Sequence, residues 1–322
     1  MSPLPSFGCA ALLLAGCATP APAGKVNATP RASAASPPLA PEPAPSVASS
    51  VPPSPAPPPF HDCGALSCKA FPDAIAAFDY VLLSERPRVL AIGEAHAQSE
   101  AAGGAKTASS TKRFMDTLLP RLAPRASDLV IELWLANGSC GKVEKQVQKQ
   151  QSAVTAPQAA SNQNEFMELG HRAKALGIMP RALVPSCEQY QKIAGAGAAD
   201  IEEMLTMIRD VTRRDVEELL AKRAPERLVV AYGGAMHNDL APRPGREAFS
   251  FGPELSQAVE GRYVELDLVI PEQIKDTEAW RALPWHGAYS RAQAGSGAYL
   301  YSWAPRAYAL VFPKAADAEP AP

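Results

Sequence analysis

Arg88-Val-Leu-Ala-Ile-Gly-Glu94-Ala-His96 decides the fold. Four apolar residues between Arg88 and Gly93 form a run too short for a helix and without polar alternation. That is the pattern of a strand buried on both faces inside a parallel sheet. Gly93 lets the backbone turn, so Glu94 and His96 sit where the strand runs out. In an open α/β sheet, ligands bind in the crevice beyond the carboxyl ends of the strands, which makes the pair a candidate site. A glutamate and a histidine that merely brace a loop would read the same way.

Working outward, Arg227-Leu-Val-Val-Ala-Tyr232-Gly-Gly-Ala-Met-His237-Asn238-Asp239 repeats the design, with an apolar run, glycines and a histidine at the exit. Ser127-Asp-Leu-Val-Ile-Glu132-Leu-Trp134 is another parallel-type strand, with an acid inside it. Burying that acid is costly unless it is paired, so Glu132 either faces the crevice of Glu94 or is a structural acid bonded to a backbone amide. Ile178–Pro185 and Ala307–Phe312 supply further strands. Arg262–Ile270 alternates Val264, Leu266 and Leu268 with Glu265 and Asp267, which predicts a solvated face or a position near an edge.

Helical periodicity appears over Phe71–Ser84 and over Thr111–Leu122. It appears again from Asn162 to a stop at Gly177, and from Asp200, with Glu203 in the capping-box position, to Pro225. Lys142–Ala160 is Gln-rich and only weakly periodic. His171 falls off the apolar face of its helix and reads as a surface residue. Asn137–Gly141 nearly matches a nucleophile elbow but lacks its first glycine, so it reads as a turn. Ser109-Ser-Thr-Lys112 fits Ser-x-x-Lys with no companion motif and reads as coincidence. Ala97–Ser110 is long for a connection, either a flap over the site or a disordered loop. Strands alternating with helices predict an α/β fold with a mainly parallel sheet flanked by helices and a common rim of strand ends. Glu94, His96, Glu132 and His237 should meet at that rim. They could bind a divalent metal, or one histidine could take a proton from water while a carboxylate orients it.

The chain has 322 residues, with 31 Lys plus Arg against 33 Asp plus Glu, so nothing favours a nucleic-acid partner. Ala10–Gly16 is an apolar run too short to span a bilayer, and Leu14-Ala15-Gly16-Cys17 resembles the lipobox of bacterial lipoproteins. The resemblance implies a signal peptide over residues 1–16, lipidation of Cys17 and an address in the cell envelope, with the outer membrane favoured. Residues 17–59, rich in Pro, Ala and Ser, would be an extended tether reaching on the order of 100 Å. Residues 60–314 would form one α/β domain, followed by a disordered tail over 315–322. In that oxidising compartment, Cys63, Cys68, Cys140 and Cys187 read as disulfides, with Cys63–Cys68 and Cys140–Cys187 the favoured pairing.

Trp280, Trp285, His286, Tyr289, Tyr299, Tyr301 and Trp303 crowd a Gly-rich stretch, as a pocket lining or as an aromatic cover on the sheet. Val89–His96 and Val229–Asn238, with Val130-Ile131-Glu132 between them, resemble the signature segments of a superfamily that unites erythromycin-esterase-like hydrolases, ChaN-type haem-binding lipoproteins and Tiki/TraB proteins. The esterase-like members imply water activation by His96 or His237, and the Tiki-like members imply metal-dependent peptide cleavage. The ChaN-like members imply haem at a homodimer interface, with Tyr232 as the iron ligand and Trp285 and His286 near it. The expectations are therefore a hydrolase for a small-molecule or peptide ligand, a haem-binding lipoprotein, or a member with the fold and no chemistry.

Overall fold

The computed structural model describes residues 56–99, 107–134, 136–196, 201–289, 295 and 297–314. Its strands are β1 (His61–Asp62), β2 (Lys69–Phe71), β3 (Val89–Glu94), β4 (Ala126–Trp134), β5 (Met179–Leu183), β6 (Leu228–Gly234), β7 (Tyr263–Val269), β8 (Ala298–Ala304) and β9 (Ala307–Val311). They form one sheet in the order β1-β2-β8-β9-β7-β3-β6-β4-β5. The run from β9 to β5 is parallel throughout, and only the β1-β2-β8-β9 end is antiparallel. The α/β class and the mainly parallel sheet expected from the apolar runs are what the chain adopts.

The opening stretch is the centre of this sheet, with β3 paired to β6 on one side and to β7 on the other. Its alternate residues feed two separate cores. Leu90 and Ile92 join a cluster with Leu129, Ile131, Val230 and Leu266, whereas Val89 and Ala91 join one with Val130, Val229 and Tyr263. Burial on both faces is why the run has no polar alternation.

On the first face pack α1 (Ala74–Glu85) and a helical stretch made of α2 (Ser110–Arg113), a π turn (Phe114–Leu118) and α3 (Leu119–Leu122). The Asp73 side chain accepts from the Ala76 amide to cap α1, so the helix starts three residues later than Phe71, which belongs to β2. Ser109 caps α2 through the Lys112 amide and donates to Glu165, a structural use for the serine of the Ser-x-x-Lys match. Next come α4 (Lys142–Thr155), α5 (Asn162–Ala175), α6 (Cys187–Ala196) and α7 (Glu202–Lys222), with α8 (Gly252–Ala258) before β7. Asn137 accepts from the Ser139 amide in the turn before α4. His171 is exposed.

Arg88, buried at the start of β3, donates to the carbonyls of Leu220, Arg223 and Arg227 and so places a cation at the C-terminal end of α7. Arg223 in turn grips Asp128 with two hydrogen bonds of 2.8 and 2.9 Å, which lock α7 to β4.

One expectation changes and one open alternative is decided. The alternation in β7 does not mark a solvated face or an edge, because β7 lies between β3 and β9 and every one of its residues is buried. The aromatic stretch is a cover: Trp285 packs with Val269, Tyr301, Ala309 and Val311, and meets the rings of Trp280 and Tyr289 edge-on. Cys63 is joined to Cys68, and Cys140 to Cys187. The second link ties the entrance of α4 to the first residue of α6. Cys17, the tether up to residue 55, Asp200, residues 100–106 of the expected flap and the tail 315–322 lie outside the described residues.

Candidate functional site

Two glycines create the space for the site. Gly93 and Gly233 are register partners on β3 and β6, and Gly93 is also paired with Asp267 on β7. A Cβ on Gly233 would overlap the Glu132 carboxylate and come within 2.8 Å of its Cβ. One on Gly93 would overlap Asp267 and come within 2.7 Å of the Ala235 Cα and the Asn238 amide nitrogen. Each glycine therefore lets an acid from the adjacent strand lie across it. Sequence reasoning assigned Gly93 to turning the chain, but it lies inside β3 without a positive φ, and the use of both glycines is to make room.

The four expected site residues meet at the strand exits. His96 Nδ1 bonds Glu94 Oε1 at 2.8 Å, and its Nε2 stands 3.7 Å from Glu132 Oε1. His237 Nε2 approaches the same Glu132 oxygen at 4.0 Å, while the Gly234 amide donates to Glu132 Oε2 at 2.6 Å. Both open readings of Glu132 hold, since one carboxylate oxygen is bound by backbone and the other faces the two histidines. The Thr111 hydroxyl donates to Glu94 Oε2 and accepts from the Tyr232 hydroxyl, both at 3.3 Å. Phe166 packs against the His96 ring at 5.8 Å between centroids.

Electrostatics makes this an acid–imidazole–acid cluster. Burial alone would lower the pKa of His96, but the Glu132 carboxylate 3.7 Å away and the hydrogen bond to Glu94, with both charges, outweigh it and raise it to about 10. Burial alone would raise Glu132. The coulombic pull of His237, the neighbouring His96 with its charge, and the Gly234 amide instead hold it at about 2. At neutral pH, His96 is an imidazolium between carboxylates. Among the described residues, no group of three or more His, Cys, Asp or Glu side chains is arranged to hold a metal ion, and the four expected ligands hold one another.

The segment carrying His237 is fixed from β7, which sequence reasoning missed. The Tyr263 hydroxyl donates to the Asn238 carbonyl at 2.7 Å, the Leu240 amide donates to Glu265 at 2.6 Å, and the Asn238 amide donates to Asp267 at 3.1 Å. Ser250 donates to the carbonyls of His237 and Asp239. Positions 263, 265 and 267 share one strand face, so the polar alternation in β7 is the signal that could have revealed this clamp. Burial raises the Glu265 carboxyl, reinforced by the charge of Asp267, and burial also raises Asp267, reinforced by Asp239.

On the other side of His96, the Ala97 carbonyl accepts from the Ala159 amide and the Asn162 side chain, and the Ser99 amide donates to Pro157. Residues 97–99 of the expected flap are thus strapped to the α4–α5 connection. The remaining expected residues lie elsewhere. Tyr232 is only 2% exposed, stacked on Phe114 at 4.9 Å inside the first core, with its hydroxyl committed to Thr111. As placed, it presents no oxygen to a ligand. Trp285 is buried in the aromatic cover, and His286 bonds the Lys275 carbonyl at 3.3 Å.

The cluster opens into a cavity of about 960 Å³ that Glu94, His96, Glu132 and His237 all line. That volume lies in the range of small-molecule sites. No family model and no curated protein matches the chain. Among solved structures, the type III effector HopBA1 is similar at a TM-score of 0.33 and 11% sequence identity, over 62% of this chain and 85% of that one.

Proposed function

We propose that the chain is a hydrolase that activates water between His237 and His96 and acts on a small or peptide-like substrate bound in the cavity. The observation that carries this reading is the convergence of two imidazoles, in different environments, on one carboxylate at a cavity wall. His237 is the base. Its Nδ1 is bonded to the Phe249 carbonyl at 2.7 Å, which leaves Nε2 to take a proton from water. Glu132 stabilises the imidazolium that forms. The water oxygen adds to the substrate carbonyl carbon, whose π electrons move onto its oxygen. His96, already cationic, protonates the departing group when the tetrahedral species collapses.

The test uses purified protein with p-nitrophenyl esters and a mixed peptide library, with and without a chelator. Cleavage that survives the chelator and disappears in His237→Ala supports the reading. Cleavage unchanged in that variant would overturn it, and cleavage abolished by the chelator would replace the metal-free route with a metal-assisted one.

The proposal also keeps the envelope address, on the strength of Leu14–Cys17 and the Pro-rich segment after it. Cys17→Ser should move the protein from the membrane to the soluble fraction, and unchanged membrane association would contradict the lipid anchor.

A further inference from the structure

The cavity wall has a chemical pattern that the catalytic cluster does not explain. Gln148, Gln151, Ser152 and Thr155 line it at helical spacing from α4, and Gln158 and Gln163 continue this polar wall past the helix. Those α4 positions are i, i+3, i+4 and i+7, one face of the helix, whereas Val147 is buried on another. Carboxamides offer both donors and acceptors without charge. From α7 and the residue before it, Ile201, Met204, Leu205 and Ile208 supply an apolar surface. Trp134 also lines the cavity, only 7% exposed, and its indole nitrogen has no hydrogen-bond partner. A buried orphan donor of this kind costs free energy unless an acceptor meets it.

The charge pattern is equally specific. Among the described residues, two carboxylates line the cavity and no lysine or arginine does. Among the described residues that line it, the group held cationic is the His96 imidazole, and it already faces Glu94 and Glu132. An anionic ligand would have to displace a carboxylate from that ring and leave it buried.

Resting on the reading of this cavity as the substrate site, we propose that it takes an amphipathic ligand free of anionic groups, uncharged or cationic. Its hydrogen-bonding edge lies along the α4 carboxamides and its apolar face on α7. Haem, with its two carboxylates, does not belong to this class.

The experiment measures binding without catalysis. The full-length protein is titrated with dansylcadaverine, dansylamide and dansylglycine, which carry a positive, a neutral and a negative group on one fluorophore, reading energy transfer from tryptophan. The expected result is that the first two bind at least about tenfold more tightly than dansylglycine, a difference of about 1.4 kcal/mol. Gln151→Lys, and separately Gln148→Lys on the same helix face, should narrow that gap by giving the wall a cation. Dansylglycine binding as tightly as the others would overturn the proposal, as would a gap unchanged in both lysine variants. If the ranking holds but no ester or peptide is cleaved, the ligand class stands and the hydrolase reading falls. If an ester is cleaved while dansylglycine binds equally well, the reverse follows.

Discussion

His237 Nδ1 lies 2.7 Å from the carbonyl oxygen of Phe249. A carbonyl has no proton to give, so that nitrogen carries the hydrogen, and Nε2 is the atom left to exchange a proton beside Glu132. The ring's role follows from one backbone contact 12 residues away in sequence.

His237→Asn preserves a side-chain N–H in the place of Nδ1 and deletes Nε2. We expect the thermal midpoint to stay close to that of the parent while hydrolysis falls by about 10²- to 10⁴-fold, the usual worth of a positioned base. Parallel measurement of melting and ester turnover checks this, and an active His237→Asn would remove the residue from the chemistry.

Gly233→Ala puts a methyl group into the Glu132 carboxylate, and Gly93→Ala puts one against Asp267 and Asn238. Each should destabilise the fold by about 1–3 kcal/mol through overpacking, and Gly233→Ala should also lower activity by displacing Glu132. Gly170→Ala on α5 is the control. Its Cβ would meet Ile131 at 3.5 Å, an ordinary contact, so it should be neutral or stabilise by up to about 1 kcal/mol. Denaturant unfolding of the three variants separates space-making glycines from incidental ones.

Much of this was legible in the sequence. Val89–Ile92 and Leu228–Tyr232 carry no competing polar pattern, so strand, layer and exit point follow directly, and with them the meeting of Glu94, His96, Glu132 and His237. What stayed hidden involves polar residues that face inward. Glu265 and Asp267 alternate as a solvated strand face would, yet that face is covered by residues 238–240, a long-range contact that local pattern does not encode. Gln148, Gln151, Ser152 and Thr155 weaken the apolar periodicity of α4 because that face lines a cavity. The aromatic stretch around Trp285 has one composition for pocket and cover alike, and only the packing on β7, β8 and β9 decides between them.

The clamp on β7 has a pH signature. Burial, with the charge of Asp267, raises the Glu265 carboxyl above the ordinary carboxylate range, so the folded chain holds a proton that the unfolded chain releases. Stability from this group is present at low pH and is lost as pH rises beyond the unfolded pKa. Glu265→Gln keeps an acceptor for the Leu240 amide without the ionisation. Its midpoint should exceed the parent's by a few degrees near about pH 8 and match it near about pH 4. A gain independent of pH would show that Glu265 is not held protonated.

Cys140–Cys187 closes a loop across 47 positions and ties α4 to α6, beside the carboxamide wall. On the chain-entropy model, its loss costs about 4 kcal/mol. The Cys140→Ser, Cys187→Ser double variant should show that loss in urea unfolding and bind dansylamide more weakly. Unchanged binding would separate the cavity wall from the link.

The central claim is that His96 is a cation held by two acids and that His237 keeps a proton on Nδ1 against the Phe249 carbonyl. Nitrogen NMR of histidine-labelled protein at about pH 8, assigned with His96→Gln and His237→Asn, tests it most directly. The account predicts both ring nitrogens of His96 protonated and a proton on Nδ1 of His237. A neutral His96 under those conditions, or a proton on His237 Nε2 and not on Nδ1, would contradict it.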